Sequence, residues 1–359
     1  MKKALIAMSG GVDSSIAAYL TQQAGYSCIG CTMKLYENAD ANIPAENTCC
    51  SLDDIEDARS VAFRLDMPYY VFQMTDLFRE KVIRKFCESY CAGRTPNPCI
   101  DCNRFLKFEA LLARADALGC GKIVTGHYAR IEETAEGYLL KKAADPAKDQ
   151  SYVLYMLTQA QLARILFPLG ALKKQEVREL AEQQGFVNAH KHDSQDICFV
   201  PDGDYARVIK AQTGITPQPG DFVDLQGNVL GRHEGLIHYT VGQRRGLGIA
   251  IGKPAYVCGL DVPGNRVIIG ENADLFRRSC VVSGINWITG APPQEPVRCR
   301  AKIRYRHPEQ PAVLQFTAPD TATLTFDAPQ RAITAGQAAV FYDGDTVLGG
   351  GEIQHTGAE

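Results

Sequence analysis

Hydrophobic residues in the first half of the chain alternate between short continuous runs and stretches with helical spacing. The continuous runs predict β-strands at 4–8, 28–35, 69–72 and 122–125. The stretches between them predict helices that reach about residue 24, run from 51 to about 65 and from 75 to about 91, and span 103–118. Ser51 and Asp54 resemble a capping box at the start of the second helix. This rhythm predicts a parallel sheet covered by helices, with ligands at the carboxyl ends of its strands.

The pattern changes near residue 203, where helical periodicity fades and glycine and proline become frequent. Short β segments follow one another, and tight turns are expected at Pro263-Gly264-Asn265 and Asp343-Gly344-Asp345. We therefore expect an α/β parallel-sheet domain at 1–202, a small, mostly β central domain at 203–277 and a C-terminal β-barrel at 278–359.

The first predicted strand runs directly into the glycine-rich turn M-S-G-G-V-D-S-S at 8–15, which opens a helix. Gly10 and Gly11 allow positive φ and a close approach of the backbone to a ligand. Helix N-termini of this kind bind phosphate, and the Asp13 carboxylate could hold magnesium against it. The lysine of the Walker-type loop is absent, so the turn is not built for γ-phosphoryl transfer. The alternative is an ordinary strand-to-helix turn with polar caps.

Composition narrows the class of protein. The chain has 359 residues, a net charge of −3 and 45% hydrophobic residues, typical of a globular protein of two or three domains. No run approaches the ~18 apolar residues of a membrane span, so no membrane partner is expected. Thirteen scattered cysteines favour reduced thiols and a cytoplasmic protein over a disulfide framework. With a slightly negative total charge, any binding to nucleic acid must come from local patches.

One such patch is the segment V-R-C-R-A-K-I-R-Y-R at 297–306, which alternates at the period of a strand. The two predicted faces are Val297, Cys299, Ala301, Ile303 and Tyr305 on one side, and Arg298, Arg300, Lys302, Arg304 and Arg306 on the other. Because no acidic residue interrupts the cationic row, we expect a polyanionic partner such as structured RNA rather than a merely solvated face.

Two cysteine elements stand out from the rest. In R-T-P-N-P-C-I-D-C-N-R-F-L-K-F, Pro96 and Pro98 are expected to bar helix, which leaves Cys99 and Cys102 at a helix mouth where thiolate is favoured. The C-x-x-C spacing fits a buried pair, a redox pair or half of a metal site. Cys198, in S-Q-D-I-C-F at 194–199, is either a core residue or a residue of a mobile loop. The remaining amino-terminal cysteines are expected to be core residues: Cys28, Cys31, Cys49, Cys50, Cys87, Cys91 and Cys120.

The turn at 8–15 resembles the phosphate loop of the PP-loop ATP pyrophosphatases. Together with T-P-N-P-C-I-D-C, T-G-H-Y-A-R at 125–130, K-D-Q-S-Y-V-L at 148–154, S-Q-D-I-C-F and G-Q-R-R-G-L at 242–247, it resembles the bacterial tRNA-specific 2-thiouridylases. The resemblance implies ATP-dependent 2-thiolation of the wobble uridine in tRNA, with the uridine C2 oxygen adenylated and persulfide-derived sulfur transferred. It also implies ATP with magnesium as cofactors, and a cysteine desulfurase or sulfur-relay protein as partner.

The same resemblance implies roles for individual residues. Cys102 would be a catalytic thiol, and Cys198 would carry the persulfide. ATP would bind at Ala7, Met8, Ser9, Gly10, Gly11, Val12, Asp13, Ser14, Met33 and Gly126. The target base would lie against Asn97, Pro98 and Cys99, and the tRNA would contact His127, Lys148, Asp149, Gln150, Arg304, Tyr305 and Gln337.

At Cys99 the chain departs from the family, many of whose members have an aspartate there that has been proposed as an acid or base. Either that base is dispensable, or Cys99, Cys102 and Cys198 form a three-thiolate iron–sulfur site. Two other functions also stay open: an adenylating synthetase for a small molecule, and an iron–sulfur or RNA-binding protein whose nucleotide site is only structural.

Overall fold

The computed structural model describes residues 2–36, 52–191, 197–200, 202–249 and 252–356. The chain forms two compact units. The first comprises Met1–Val82, Cys99–Gly203 and Asp345–Leu348, and the second comprises Ile83–Pro98, Asp204–Gly344 and Gly349–Glu359. The expected domain boundaries at 202/203 and 277/278 stay a prediction.

A parallel sheet forms the centre of the first unit. In chain order the unit contains β1 (Lys3–Ala7), β2 (Ser27–Lys34), β3 (Tyr69–Gln73), β4 (Lys122–Val124), β5 (Arg130–Thr134), β6 (Gly137–Lys141) and β7 (Ile165–Leu166). The sheet has the order β3-β2-β1-β4-β7 with every neighbour parallel, while β5 and β6 form an antiparallel hairpin. Ala4, Leu5 and Ile6 are fully buried, so the apolar run at the amino terminus is the central strand of this sheet.

Helices cover this sheet as expected. In the first unit they are Val12–Gln23, Leu52–Arg64, Thr75–Phe78, Pro98–Asp101, Leu111–Ala117, Gln159–Leu162 and Lys174–Gln183, with a 3-10 turn at Ser151–Leu154. Two of them continue as π-helical segments, Arg79–Ile83 and Cys102–Ala110. Helix Leu52–Arg64 buries Ile55, Ala58 and Ala62 at helical spacing. Ser51 of the expected capping box lies outside the described residues.

The expectation that Pro98 bars helix is wrong. Pro98 is the first residue of the helix Pro98–Asp101, a position where the missing N–H would have no helical partner anyway and where the fixed φ is favourable. Cys99 therefore lies in the first helical turn, and the π-helical segment begins at Cys102.

The second unit contains a four-stranded sheet and two longer helices. Its strands are β8 (Gly220–Val223), β9 (Val229–His233), β10 (Tyr256–Asp261) and β11 (Arg266–Gly270), in the order β10-β11-β8-β9 around a core that includes Phe222 and Val257. The helices are Arg84–Cys91 and Tyr205–Thr213, and short 3-10 turns lie at Leu236–His238 and Ala273–Leu275. The helix Tyr205–Thr213 was not expected from the sequence. Its N-cap is Asp204, whose carboxylate accepts the Arg207 N–H at 3.0 Å, and Gly214 ends it at φ +67°.

The last six strands form a closed barrel, which belongs to the second unit except for residues 346–348 of its final strand. Its strands are β12 (Phe276–Trp287), β13 (Val297–Lys302), β14 (Gln310–Ala318), β15 (Thr321–Arg331), β16 (Ala338–Asp343) and β17 (Thr346–Thr356). They follow the order β12-β15-β14-β13-β16-β17, and pairing of β12 with β17 closes the ring. The expected C-terminal barrel is thus confirmed, as are the turns after β10 and β16, where Asn265 and Gly344 have positive φ. Among the described residues, none of the helices has the length and hydropathy needed to span a membrane.

Candidate phosphate-loop and thiol site

The turn after β1 is held in a fixed shape by short-range hydrogen bonds. The Ser9 backbone N–H donates to Ser14 Oγ at 3.1 Å, and Ser14 Oγ donates to the Gly11 carbonyl at 2.9 Å. Gly11 is the N-cap of the helix Val12–Gln23, whose first N–H groups have no acceptor within the helix. These donors at a helix N-terminus suit a phosphate group.

Two glycines allow neighbouring backbone to approach this turn. Gly10 has φ +76°, and a Cβ on it would lie 2.4 Å from the Asp54 carbonyl oxygen. A Cβ on Gly126 would lie 2.8 Å from the Ser14 nitrogen. A side chain at either position would collide with backbone, so glycine is required at both.

The residues expected to bind ATP meet at one edge of the parallel sheet. The carboxyl ends of β1, β2 and β4 lie side by side, because β1 pairs in parallel with both of the others. The sequence-predicted set is therefore brought together around the helix N-terminus: Ala7, Met8, Ser9, Gly10, Gly11, Val12, Asp13, Ser14, Met33 and Gly126. Their role in binding ATP stays a prediction.

Asp13 is already partnered by two side chains that sequence reasoning missed. Its Oδ1 accepts the Tyr128 hydroxyl at 2.8 Å and lies 2.7 Å from Lys174 Nζ. The Lys174 side chain is only 11% exposed, and its ammonium lies 5.9 Å from the centre of the Tyr128 ring. A lysine whose side chain is largely shielded from solvent thus supplies positive charge beside the glycine-rich turn, although the chain lacks a Walker lysine. Nothing in the single sequence connects a lysine at 174 with an aspartate at 13.

Two further residues, which lie shortly before position 192 in the chain, stabilise the turn. Asn188 is buried, and its amide donates to the Gly10 carbonyl and to Ser15 Oγ, each at 2.9 Å. Lys191 Nζ lies 2.7 Å from Asp54 Oδ1 and 2.6 Å from Asp57 Oδ2. Both aspartates belong to the helix Leu52–Arg64, and the Asp54 backbone packs against Gly10. Lys191 therefore helps to hold this helix against the glycine-rich turn.

The three candidate thiols all belong to the first unit and differ from the core cysteines in exposure. Cys99 is exposed, and Cys102 and Cys198 are half-buried. The backbone at Cys198 is anchored, because its carbonyl accepts the Tyr36 hydroxyl at 3.0 Å and Phe199 packs edge-on against Phe78 at 5.7 Å. The predicted residues 194–196 of the same element lie outside the described part of the chain.

A metal-ligand set is not assembled in the described parts of the chain. No group of three or more His, Cys, Asp or Glu side chains there is arranged to hold a metal ion, and this includes Cys99, Cys102 and Cys198. The described cysteines are all free thiols. The residues therefore do not fit a three-thiolate iron–sulfur site in this conformation.

The remaining described cysteines in the amino-terminal half lie in less reactive surroundings. Burial raises the pKa of Cys28 to about 11 and of Cys87 to about 12, and it also raises the pKa of Cys31, Cys91 and Cys120. A raised pKa keeps a thiol protonated and poorly nucleophilic. The Cys28 and Cys31 pair is thus a core pair, as the strand geometry predicts, while Cys49 and Cys50 lie outside the described residues.

His127 is buried rather than offered to solvent. Its ring lies 5.8 Å from the rings of both Phe108 and Phe167, and its Nδ1 is 2.7 Å from Thr125 Oγ1. Burial lowers its pKa well below the ordinary value, helped by the charge of Lys107, so the imidazole is neutral at physiological pH. Its contact with tRNA stays a prediction.

The expected tRNA contacts at Lys148, Asp149 and Gln150 form a hydrogen-bonded loop beside Tyr128. Gln150 Oε1 accepts the Tyr128 N–H at 3.0 Å, and Asp149 Oδ1 accepts the Ala143 N–H at 2.9 Å. The loop thus also fixes the backbone of the tyrosine that contacts Asp13. Direct contact of these residues with tRNA stays a prediction.

In the second unit, the loop that leads to Asn97 and Pro98 is held by the barrel. The Gln337 amide donates to the Thr95 carbonyl at 2.8 Å, and the Thr95 N–H donates to the Ala335 carbonyl at 2.8 Å. Arg94 Nη2 donates to the Glu352 carboxylate at 2.6 Å. Gln337, expected only as a tRNA contact, therefore also fixes the backbone just before the expected target-base residues.

The basic strand differs from its prediction in two respects. It ends at Lys302, so Tyr305, which is 38% exposed, lies beyond the strand and does not continue the face that begins with Val297. Acidic residues from elsewhere in the barrel neutralise part of the row: Arg298 pairs with Asp327 on β15, and Arg300 Nε lies 3.6 Å from Glu309 Oε2. A sequence read along one strand misses such partners. The roles of Arg304 and Tyr305 in binding tRNA stay a prediction.

Comparison with known proteins agrees with this architecture. Family models match residues 2–202 (tRNA methyl transferase HUP domain), 211–271 (tRNA methyl transferase PRC-barrel domain) and 277–353 (Aminomethyltransferase beta-barrel domain). The tRNA-specific 2-thiouridylase MnmA of Clostridioides difficile (strain 630) is 47% identical over 98% of this chain and 98% of its own length. That of Lachnoclostridium phytofermentans is 49% identical over 98% of this chain and 99% of its own. The chain belongs to the tRNA-specific 2-thiouridylase family.

Membership of the 2-thiouridylase family confirms the resemblance that the sequence segments indicated. Two of the matching solved structures are less similar to the chain than these relatives. A 4-thiouridine synthetase in complex with RNA and ATP is 18% identical with a TM-score of 0.38, covering 59% of this chain and 50% of the synthetase. The U34-tRNA thiolase NcsA from Methanococcus maripaludis, solved with its [4Fe-4S] cluster, is 17% identical with a TM-score of 0.35, covering 59% of this chain and 70% of the thiolase.

Proposed function

We propose that this chain uses ATP to replace the C2 oxygen of the wobble uridine in tRNA anticodons with sulfur, releasing AMP and pyrophosphate. The observation that carries the proposal is that the first unit contains both a phosphate loop without a Walker lysine and three accessible thiols. The names of the full-length relatives support tRNA as the substrate. We place the activity in the cytoplasm, where tRNA is available and thiols stay reduced.

The first chemical step activates a poor electrophile. The uridine O2 attacks the α-phosphorus of ATP, the bond to the β-phosphate oxygen breaks, and pyrophosphate leaves with the electron pair. The N–H groups at the start of the helix Val12–Gln23 and the Lys174 ammonium would hold the negative charge of the phosphates. Oδ1 of Asp13 already accepts two donors, so magnesium that enters with ATP would meet the Oδ2 atom of this carboxylate.

The second step transfers sulfur. The terminal sulfur of a persulfide on Cys198 attacks the activated C2, and AMP leaves with the C2 oxygen. The Cys102 thiolate then attacks Cys198 Sγ, which releases the thiocarbonyl product and leaves a Cys102–Cys198 disulfide. A cysteine desulfurase or relay protein supplies the persulfide, and a dithiol reductant returns two electrons to the disulfide. We assign no step to an iron–sulfur cluster, because the described thiols do not fit one.

The proposal is tested by the modified nucleoside itself. An unmodified tRNA transcript with a wobble uridine is incubated with the protein, ATP, magnesium, cysteine and a cysteine desulfurase, then digested and examined by mass spectrometry. We expect 2-thiouridine at the wobble position only when ATP and the protein are both present. If the tRNA stays unmodified, or if sulfur appears at another nucleoside, the proposal is wrong.

A further inference from the structure

Two clusters of cations and aromatic rings lie along the continuous helical segment 98–117. This segment comprises the helix Pro98–Asp101, the π-helical segment Cys102–Ala110 and the helix Leu111–Ala117. In the first, Arg104 Cζ is 5.2 Å and Lys81 Nζ is 5.9 Å from the centre of the Phe105 ring. Cations this close to a ring are held by its quadrupole. Arg104 is exposed and follows Cys102 by two residues, so the first cluster lies at nearly the same level of the helix as this thiol, about 3 Å further along the helix axis.

The second cluster lies further along the same helix, against the edge strand β3. Arg114 Cζ is 5.6 Å from the centre of the Phe72 ring, and Phe72 lies parallel to Tyr70 at 6.4 Å. Tyr70 is 46% exposed although it belongs to the sheet. From Arg104 to Arg114 the helix advances on the order of 15 Å at 1.5 Å per residue. We call Arg104, Lys81, Phe105, Arg114, Phe72 and Tyr70 the cation–ring track.

Acidic partners among the described residues neutralise little of the charge on this track. Within the described part of the chain, no carboxylate pairs with Arg104 or Arg114. Lys81 pairs only with its neighbour Glu80 at 3.0 Å, and both side chains are at least 40% exposed, so the pair is weak. The basic strand of the barrel is the opposite case, because Arg298 and Arg300 already have acidic partners.

We infer that the cation–ring track binds the single-stranded RNA next to the target nucleotide. Arg104 and Lys81 bind backbone phosphates, Phe105 holds the two like charges close together, and Tyr70 and Phe72 offer aromatic surface to a base. The inference rests on the proposed function, since it requires a nucleotide at Cys102. According to this inference, part of the affinity for RNA comes from this helix, whereas the sequence pattern predicted RNA binding by the basic strand of the barrel.

The test uses the full-length chain and an unmodified tRNA transcript. Binding is measured over a range of salt concentrations for the wild type and for a double variant with Arg104→Ala and Lys81→Ala. Each phosphate contact to a single strand contributes about 0.7 to the slope of log affinity against log salt, so the double variant should lose about 1.4 of that slope. We expect at least a tenfold weaker affinity at about 0.1 M salt, with KM for ATP unchanged.

Two control variants separate charge from fold. Arg104→Lys keeps the charge and should retain the wild-type slope. A double variant with Arg298→Ala and Arg300→Ala removes two cations that are already paired. It should change the slope by less than half as much as the Arg104/Lys81 double variant does. Wild-type affinity and slope in the Arg104/Lys81 double variant would overturn the inference. It would also be overturned if this variant bound tRNA normally and lost turnover only when a desulfurase supplies the sulfur, because the track would then bind the sulfur donor and not RNA. Failure of the wild type to thiolate tRNA would count against the proposed function instead.

Discussion

At the scale of single residues, the account depends on how charge and thiols are placed around one turn. Lys174 neutralises Asp13 at the helix N-terminus, and Asn188 and Lys191 brace the turn from behind. Cys99, Cys102 and Cys198 stay accessible, whereas burial raises the pKa of the core thiols.

Replacing Cys198 with serine should separate the two chemical steps. The variant keeps the phosphate loop and should still transfer AMP to tRNA, but it cannot carry a persulfide, so we expect thiolation to fall by a factor of about 100 or more. The measurement is AMP release and 2-thiouridine formation in the same reaction. Loss of both activities in a folded variant would contradict the role given to Cys198, and Cys91→Ser provides a control at a half-buried thiol with no assigned role.

Replacing Lys174 with methionine should weaken the phosphate site. The variant keeps most of the side-chain volume but leaves the Asp13 carboxylate without its cation beside the proposed phosphate site. We expect KM for ATP to rise by about tenfold or more, while the affinity for tRNA stays close to wild type. Lys173→Met, at the exposed neighbouring lysine, is the matched control. Equal KM values in the two variants would show that Lys174 does not act on ATP.

His307 should make the barrel sensitive to acid. Burial, helped by the charges of Arg304 and Lys302, lowers its pKa to about 4. Between pH 6.5 and about 4 the unfolded chain therefore binds a proton that the native state rejects, so stability falls as pH falls, by about 2 kcal/mol at pH 5. Thermal unfolding of wild type and of His307→Asn at pH 7 and pH 5 measures the loss of stability that is due to His307. A drop of Tm between the two pH values that is equally large in the variant would contradict the assignment.

At the scale of elements, the sequence predicted the first unit up to about residue 125 because the signals there are local. It did not predict the later elements of that unit, which are β5, β6, β7 and the helices Gln159–Leu162 and Lys174–Gln183. Apolar runs marked β1 to β4, and the glycine-rich turn marked the helix start, since strands and caps depend on adjacent residues. The helix at Pro98 was assigned wrongly because proline excludes helix interiors but suits the first position. The helix Tyr205–Thr213 was overlooked despite its Asp204 cap and Gly214 end.

The loop before Pro98 gives an element-scale prediction. The Gln337 amide donates to the Thr95 carbonyl, and a carboxylate there would repel that oxygen instead. We expect Gln337→Glu to lower kcat/KM for tRNA by about tenfold, as loss of a hydrogen bond and a new repulsion imply, without changing KM for ATP. Gln315→Glu, an exposed change of the same charge on β14, is the control. Equal effects of the two changes would show that only charge matters.

At the scale of the whole molecule, the candidate site combines residues that no sequence pattern connects. Asp13 meets Tyr128 and Lys174, and Gly10 meets Asp54, across separations of more than 40 positions along the chain. Such contacts follow from the sheet order β3-β2-β1-β4-β7, which a single sequence does not specify. Similarly, the partners of the basic strand come from elsewhere in the barrel. The family resemblance supplied the site residues, whereas pattern alone supplied only the phosphate loop and the cysteine elements.

The most direct test of the central claim is the fate of ATP. The wild-type protein is incubated with magnesium and α-labelled ATP, with and without a tRNA transcript that carries an unmodified wobble uridine, and the labelled product is identified. The account predicts AMP and pyrophosphate that form only when the tRNA is present. Release of ADP, or AMP that forms equally without tRNA, would contradict it and would favour a synthetase that acts on a small molecule.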